Sequence, residues 1–319
     1  DRFGSPMFAT YVFLVASASA FTTDLRRPKG SRSSSSLASV ASLLEKPGLL
    51  EKPSDASLDF STFDWGAHWY PVAWARDVPV DTPTKVTLFD VDYCVVNREE
   101  GPLALDDRCP HRMASLSEGR VTAQGYLQCA YHGWAFNSTG ACKAIPQVPE
   151  GANFPCAKAI PCRIEQGLIW LFPGSSSGVP SEIPRVAEMD DPTEFMLSSS
   201  AVRDMPVDYS LLVENILDPD HGLFAHQAKA FDMYTASTGD AAQTVTVSEQ
   251  HPGLFELKSA VPAYPKLTGN SSMNVDIVGT SYFRPPCSIV TCRRDKEGKT
   301  KFITCFWVYP ACRAAAAAG

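Results

Sequence analysis

Two short segments, each offering one cysteine and one histidine, constrain this chain of 319 residues more than any other feature of its sequence. The first is Cys109-Pro-His111, and the second, after seventeen intervening residues, is Cys129-Ala-Tyr-His132-Gly-Trp134. A zinc finger usually gathers two cysteines first and two histidines later. Here each segment supplies one of each, so two loops can place both thiolates on one iron and both imidazoles on another.

The residues between these ligands suit such loops. Pro110 stiffens the first loop, and Gly133 lets the backbone of the second approach a cluster. The alternatives are a zinc site and four unrelated core residues, and the ligand order disfavours both. The sequence therefore predicts a [2Fe–2S] cluster with four protein ligands: Cys109, His111, Cys129 and His132.

Residues 84–172 are predicted to form short strands separated by turns. Residues 125–128 lead into the second ligand loop, and residues 167–172 form a continuous apolar strand. Five apolar residues nearer the start alternate with other residues in the manner of a half-buried strand: Val86, Leu88, Val91, Tyr93 and Val95.

This region resembles a Rieske domain. Rieske proteins of cytochrome complexes carry a disulfide between their ligand loops, but Ala114 and Tyr131 occupy the corresponding positions here, which favours the oxygenase branch. Residues 69–74 (Trp-Tyr-Pro-Val-Ala-Trp) and 107–119 (Asp-Arg-Cys-Pro-His-Arg-Met-Ala-Ser-Leu-Ser-Glu-Gly) are similar to the pheophorbide a oxygenase group. That group includes chlorophyllide a oxygenase and a translocon component of the chloroplast inner envelope, and the resemblance covers roughly residues 60–230.

A second set of candidate ligands follows an amphipathic helix. Apolar residues at helical spacing predict this helix: Tyr209, Leu212, Val213 and Ile216. It carries Asn215 and Asp218 and leads to His221 and His226, which lie five residues apart, so Pro219 or Gly222 must bend the chain if both histidines face one ion. Two histidines and a carboxylate on one face of an iron leave positions open for O₂ and substrate.

The same residues have simpler explanations. Asp218 and Pro219 could be a helix N-cap followed by proline at the first helical position, and the histidines could be surface residues. The resemblance to Rieske oxygenases favours the metal site, since their Asn/Asp-x-x-Asp-x-x-His-x-x-x-x-His motif matches at every specified position. It implies that His221 and His226 bind a mononuclear non-heme Fe(II). Asp218 would then link a Rieske histidine of a neighbouring subunit to one of them.

The family's third iron ligand is an acid far downstream, and no acid here has a local signature for it. The family distance would place it beyond Gly319. His68 and His251 are expected to be ordinary polar residues, since neither belongs to a ligand motif. Acids that follow His226 are Asp232, Asp240, Glu249, Glu256, Asp276, Asp295 and Glu297.

The chain ends carry signals of targeting and of truncation. Residues 7–21 resemble a signal-peptide core that ends in Ala-Ser-Ala-Phe, and residues 22–44 are basic, rich in serine and poor in acid, like a transit peptide. Residues 1–55 are therefore expected to be a bipartite plastid-targeting segment and linker, as in algae with complex plastids. The alternative is a plain secretory signal with a linker. An alanine tract that ends at Gly319 suggests truncation, and the family's Cys-x-x-Cys and membrane-anchoring segments do not occur in these residues.

Composition narrows the class of protein. The net charge of −7 argues against a nucleic-acid partner. Ten cysteines, dilute and irregularly spaced, do not indicate a disulfide scaffold. After the N-terminus no apolar run reaches the ~18 residues that span a bilayer, although the resemblance leaves membrane association of a full-length protein open.

The expected fold is an all-β Rieske [2Fe–2S] domain at residues 60–175, followed by an α+β helix-grip (START-like) catalytic domain at residues 195–319, truncated at its C-terminus. The resemblance implies a plastid oxygenase that receives electrons from ferredoxin or a similar donor. It would use O₂ on a bulky apolar substrate, with a chlorophyll-derived tetrapyrrole as the first candidate. The resemblance also implies electron transfer across a subunit boundary, within a homotrimer. The alternatives are a redox component of plastid protein import, an oxygenase of carotenoids or sterols, and an inactive fragment that keeps its cluster.

Overall fold

The structure is a computed structural model. It describes residues 13–18, 64–146, 148, 154–174, 178–190, 200–205, 207–218, 227–228, 231–232, 243–247, 255–259, 278–294 and 300–311. Among these residues, no helix is long and apolar enough to cross a membrane.

Strands dominate the described residues. The first eleven are β1 (Phe13–Ala18), β2 (Tyr70–Trp74), β3 (Thr84–Leu88), β4 (Val91–Val96), β5 (Leu103–Asp106), β6 (Arg120–Val121), β7 (Leu127–Gln128), β8 (Ala135–Phe136), β9 (Cys142–Ala144), β10 (Cys162–Glu165) and β11 (Leu168–Leu171). The others are β12 (Ala201–Met205), β13 (Gln227–Ala228), β14 (Phe231–Asp232), β15 (Gln243–Val247), β16 (Phe255–Ser259), β17 (Val278–Arg284), β18 (Ser288–Arg294) and β19 (Thr300–Pro310). One α-helix, α1 (Tyr209–Leu217), and short 3₁₀ turns at Trp65–Ala67, Ala75–Asp77 and Ala187–Asp190 complete the described elements.

Strands β2 to β11 form three small antiparallel sheets, in the orders β3-β4-β5, β10-β11-β2 and β6-β7-β8-β9. Strand β11 lies at the centre of its sheet, and all four of its residues are buried, as its unbroken apolar sequence predicts. The first ligand loop follows β5 and connects the other two sheets, whereas the second lies between β7 and β8 within one sheet.

Strand β4 is more buried than its sequence predicts. Tyr93 and Val95 pack in one hydrophobic cluster, and Cys94 and Val96 pack in another on the opposite side of the strand. The expectation of a half-buried strand is therefore wrong for β4, since both of its faces are covered. Polar residues appear only at its start, where the chain leaves the β3–β4 turn.

Six strands of the C-terminal half and the N-terminal strand β1 form a seven-stranded sheet in the order β12-β1-β19-β18-β17-β16-β15. Strands β15 to β19 are antiparallel neighbours, whereas β1 runs parallel to both β12 and β19. Strand β1 comes from the segment predicted to be a targeting sequence. An apolar run such as this one can fill a strand position.

Helix α1 packs on this sheet as its periodicity predicts. Leu212 and Val213 are buried against Ile289 of β18 and Val308 of β19. The helix begins after Asp208, whose side chain accepts a hydrogen bond from the Ser210 amide at 2.9 Å. It ends at Asp218.

One hydrophobic core joins the Rieske-like strands to the large sheet. Trp170 of β11 meets Trp307 of β19 edge to face, with ring centroids 5.9 Å apart, and both side chains are fully buried. The β3–β4 turn also contacts the end of β19, since the Phe89 amide donates to the Pro310 carbonyl at 3.0 Å and the Asp90 amide donates to the Ala311 carbonyl at 2.7 Å. The position of α1 relative to the ligand loops is therefore fixed by packing within one chain.

Two adjacent leucines of α1 offer a matched test of this packing. Leu212 is 7% exposed and Leu211 is 57% exposed. We expect Leu212→Ala to lower the free energy of unfolding by about 2–5 kcal/mol, because it leaves a cavity between α1 and the sheet. Leu211→Ala should change it by less than about 0.5 kcal/mol. Urea denaturation followed by tryptophan fluorescence measures both, and equal losses would contradict the described packing.

Candidate metal centre

The first ligand loop is closed by two backbone hydrogen bonds. The Cys109 amide donates to the Ala114 carbonyl at 2.8 Å, and the Met113 amide donates to the Cys109 carbonyl at 2.8 Å. Met113 takes the left-handed backbone conformation, with a φ of 59°, which lets the chain reverse in so few residues. The turn directs the Cys109 side chain inward and leaves His111 between core and surface.

The second loop repeats this pattern. The Cys129 amide donates to the Trp134 carbonyl at 2.8 Å, and the Gly133 amide donates to the Cys129 carbonyl at 3.1 Å. Gly133 has a φ of 76° and is the counterpart of Met113. A Cβ atom on Gly133 would lie 2.8 Å from Cγ of Pro146, so packing as well as backbone conformation requires glycine here.

The two loops bring all four predicted cluster ligands together as a buried thiol pair and a more exposed imidazole pair. Cys109 and Cys129 are 1% and 2% exposed, and their thiols are hydrogen-bonding neighbours. The rings of His111 and His132 are partly exposed, with centroids 4.6 Å apart and planes inclined by 67°. The sulfur pair therefore faces the core and the nitrogen pair faces the surface.

The local environment sets the protonation of these groups. Burial, and then the neighbouring Cys129 thiol, raise the pKa of Cys109 to about 11, against the opposing effect of backbone amides. Partial desolvation, and then the proximity of His132, lower the pKa of His111, which keeps its imidazole neutral near pH 7. A neutral imidazole is the form that binds metal, and a bound metal would deprotonate the thiols.

The donor set fits a two-iron cluster. Nδ1 of His111 is shielded from solvent and has no hydrogen-bond partner among the described residues, which is costly unless another atom binds it. Neither Cys109 nor Cys129 is in a disulfide. Among the described residues, no three His, Cys, Asp or Glu side chains could hold one metal ion together. A two-iron cluster does not need such a group of three, because each iron takes only two protein ligands: two thiolates on one iron and two imidazoles on the other.

Side chains outside the loops brace them. The carboxylate of Asp107, which is only 3% exposed, accepts hydrogen bonds from the Ser117 amide at 2.6 Å and the Ser117 hydroxyl at 2.7 Å. In the second loop, Nε2 of Gln128 donates to the Gly133 carbonyl at 3.1 Å. The motif at residues 107–119 contains Asp107 but does not indicate that this residue braces the loop. The only signal in the sequence is an acid two residues before a ligand.

Ala114 and Tyr131 occupy the positions at which Rieske proteins of cytochrome complexes carry their inter-loop disulfide, and the two residues have different surroundings. Ala114 packs against the core beneath the first loop. Tyr131 is 62% exposed. Its ring centroid lies 3.9 Å from that of His132, and the two ring planes are inclined by 37°. The nine cysteines within the described residues are all free, in agreement with the prediction that they do not form a disulfide scaffold, and most of them are buried.

The second predicted metal site is described only at its first residue. Asp218 is exposed at the C-terminal end of α1, where its amide donates to the Glu214 carbonyl at 2.9 Å. His221 and His226 lie outside the described residues, as do Pro219, Gly222 and His251. Of the downstream acids, only Asp232 in β14 and Glu256 in β16 have a described backbone.

His68, predicted to be an ordinary polar residue, follows the 3₁₀ turn Trp65–Ala67, and burial lowers its pKa.

Comparison with known proteins first defines the class. Residues 68–158 match the Rieske [2Fe-2S] domain family, and all four predicted ligands lie within that range. Among solved structures, dicamba monooxygenase bound to dicamba superposes with a TM-score of 0.56 at 24% identity, over 72% of this chain and 66% of the other. NdmB of Pseudomonas putida CBB5 superposes with a TM-score of 0.54 at 24% identity, over 73% of this chain and 66% of the other. At this identity the likeness concerns the fold alone.

Curated relatives then narrow the group. The chain is 34% identical to Protein TIC 55 of Arabidopsis thaliana, over 62% of this chain and 36% of the relative. It is 38% identical to pheophorbide a oxygenase of Oryza sativa subsp. japonica, over 57% of this chain and 36% of the relative. It is also 38% identical to chlorophyllide a oxygenase of Chlamydomonas reinhardtii, over 50% of this chain and 24% of the relative. All three names place those proteins in chloroplasts.

The chain thus contains a Rieske [2Fe–2S] domain and is related to the plastid Rieske proteins that include pheophorbide a oxygenase, chlorophyllide a oxygenase and TIC 55. This confirms the resemblance, the cluster type and the expected fold class, a Rieske domain followed by an α+β domain of the oxygenase type. The chain spans between 24% and 36% of the length of these relatives.

Replacing Gly133 tests how tightly the second loop is built. We expect Gly133→Ala to lower iron and acid-labile sulfide per chain, because the new Cβ meets Pro146 and the backbone conformation costs about 1–2 kcal/mol. Gly178→Ala is the matched control, since Gly178 has a φ of 88° but open space around it. Equal iron and sulfide contents in the two purified variants would contradict the described loop.

Proposed function

We propose that Cys109, His111, Cys129 and His132 hold the Rieske cluster, and that this chain is part of a plastid oxygenase. The oxygenase would use O₂ to oxidise a bulky, apolar small molecule, with a chlorophyll-derived tetrapyrrole as the first candidate. The observation that carries the proposal is the pairing of two buried thiols with two adjacent, surface-facing imidazoles in a domain related to pheophorbide a and chlorophyllide a oxygenases.

The second metal in this proposal is a mononuclear non-heme Fe(II) with His221 and His226 as ligands. Such an iron, when bound, activates O₂ for insertion into the substrate. Asp218 would accept hydrogen bonds from ligand imidazoles and so hold their orientation. Two features support this role, namely its exposed position at the end of α1 and its place in the motif that runs from Asn215 to His226. The third, carboxylate ligand is left unassigned.

The chain's own residues favour electron transfer at the imidazole side of the centre. Cys109 and Cys129 are enclosed by the core, whereas the edges of His111 and His132 reach the surface. A ferredoxin or similar donor would therefore approach the histidines. In a homotrimer the same edges could face Asp218 of a neighbouring subunit, since that carboxylate is exposed. The net charge of −7 argues against a nucleic-acid partner.

The proposed organisation and location follow from the chain and its relatives. We place a bipartite plastid-targeting segment and linker at residues 1–55, the Rieske domain at 60–175 and part of the mononuclear-iron domain at 195–319. The chloroplast names of the relatives support a plastid location. The serine-rich basic stretch after the apolar segment supports a complex-plastid alga, and in the full-length protein we propose membrane association.

Two observations support other functions. The identity of 34% to Protein TIC 55 favours a redox component of plastid protein import, without a small-molecule substrate. A flavonoid 8-hydroxylase of Ocimum basilicum is 38% identical over 51% of this chain, which indicates that relatives of this kind act on more than one substrate class. A carotenoid or sterol is the alternative substrate.

Spectroscopy and turnover of the full-length protein test the proposal in sequence. We expect the reduced protein to show the EPR signal of a Rieske centre, and Cys109→Ser to abolish it, because a buried thiolate ligand is lost. With ferredoxin, its reductase and O₂, pheophorbide a or chlorophyllide a should gain oxygen, measured by mass spectrometry with ¹⁸O₂. Absence of the signal in the wild-type protein would refute the cluster assignment. A normal signal without turnover of either pigment would favour the import component.

Replacing Asp218 separates its proposed role from that of a metal ligand. We expect Asp218→Asn to keep the iron content of the full-length protein and to lower turnover by about 10–100-fold, the usual effect of losing an outer-shell carboxylate. Asp208→Asn, at the other end of α1, is the matched control and should keep wild-type turnover, since asparagine also caps helices. Loss of iron in Asp218→Asn would instead make Asp218 a direct ligand.

A further inference from the structure

The ring of Trp134 connects the two ligand loops. It belongs to the second loop but stacks on His111 of the first, with centroids 4.8 Å apart and planes only 4° from parallel. The carbonyl of the same residue accepts the hydrogen bond from the Cys129 amide that closes the second loop. One residue therefore contacts both loops, through its ring and through its backbone.

Trp134 is itself held in place. Phe154 meets it edge to face, with centroids 5.4 Å apart and planes at 65°, and the ring centroid of Phe136 in β8 lies 6.5 Å away. Trp134 also packs against the buried cluster that contains Cys109 and Cys129. These contacts restrict rotation of the indole, so it presents a fixed plane to His111.

The ring of His111 is oriented more firmly by Trp134 than the ring of His132 is by Tyr131. Tyr131, which contacts His132, comes from the same loop and is 62% exposed, so it cannot join the loops or fix a ring firmly. Metal-binding histidines are usually oriented by a hydrogen bond to the second ring nitrogen. Within the described residues no hydrogen bond to the His111 ring is present, and its contacts are the rings of His132 and Trp134.

We propose that Trp134 is a positioning residue, which fixes the plane of the His111 imidazole and joins the ligand loops without a covalent bond. It thereby replaces the disulfide that Ala114 and Tyr131 preclude. This inference rests on the proposed assignment of His111 as a cluster ligand. An imidazole held face to face against an indole cannot turn about its Cβ–Cγ bond without losing that contact. The ring and its metal-binding nitrogen are therefore held in one plane.

The test compares three variants of the full-length, cluster-loaded protein. Trp134→Leu removes the flat surface but keeps an apolar side chain, and Trp134→Phe keeps a smaller aromatic face. Trp65→Leu is the control, because Trp65 packs edge to face on Tyr209 and Phe89, at the junction with α1 and the large sheet. The readouts are the EPR line width of the reduced cluster and the rate at which a chelator bleaches its visible absorbance.

We expect Trp134→Leu to broaden the EPR lines and to bleach about tenfold faster than the wild type, in line with the loss of an outer-shell contact. Trp134→Phe should restore a narrow signal and slow bleaching. Trp65→Leu should lower Tm but leave the EPR signal unchanged, which separates positioning from general stability. If Trp134→Leu takes up no cluster, retention of the signal in Trp134→Phe supports the proposal and its loss there overturns it.

The other outcomes are also decisive. An unchanged signal and bleaching rate in Trp134→Leu would overturn the positioning role while leaving the proposed function intact. Equal acceleration of bleaching in Trp134→Leu and Trp65→Leu would do the same, because it would reflect stability alone. A wild-type protein without a Rieske signal would overturn both this inference and the proposed function.

Discussion

The geometry of the candidate centre depends on one repeated constraint, the closure of each ligand loop by its own cysteine backbone. In both loops the cysteine amide donates to the carbonyl five residues later, and the cysteine carbonyl accepts from the amide four residues later. These bonds hold Cys109 and Cys129 in the core through backbone contacts alone. Backbone constraints of this kind lower the ordering that ligand binding must impose on a chain.

The surroundings of the loops make the two halves of the centre different. Burial surrounds the sulfur side, while the nitrogen side reaches the surface beside Tyr131 and Met113, both more than half exposed. With the proposed cluster bound, the iron held by His111 and His132 would have a higher potential than one with thiolates alone, so the accessible half would also be the half that favours the electron. Burial and ligand type would therefore both favour electron entry at the histidine side of the centre.

Packing between the Rieske-like strands and the large sheet ties this centre to α1. The Trp170–Trp307 pair lies at the middle of the shared core, and the Tyr209 hydroxyl donates to the Pro286 carbonyl where α1 begins. Asp218, at the far end of the same helix, is exposed. Within one chain its position follows from a rigid contact, which suits a carboxylate that is proposed to meet a neighbouring subunit.

The sequence by itself determined the apolar strand β11 and the helix α1 and predicted the four cluster ligands, because each depends on spacing along the chain: an unbroken apolar run, a repeat of three to four residues, and one Cys and one His in each loop. Only the tertiary structure decided that β4 is covered on both faces, that Asp107 braces the first loop and that Trp134 stacks on His111. These contacts join residues from different turns and sheets, and no periodicity or local motif records which side chains meet after the chain has folded. Burial of β4 depends on two layers supplied by distant segments, so its own alternation could not reveal it.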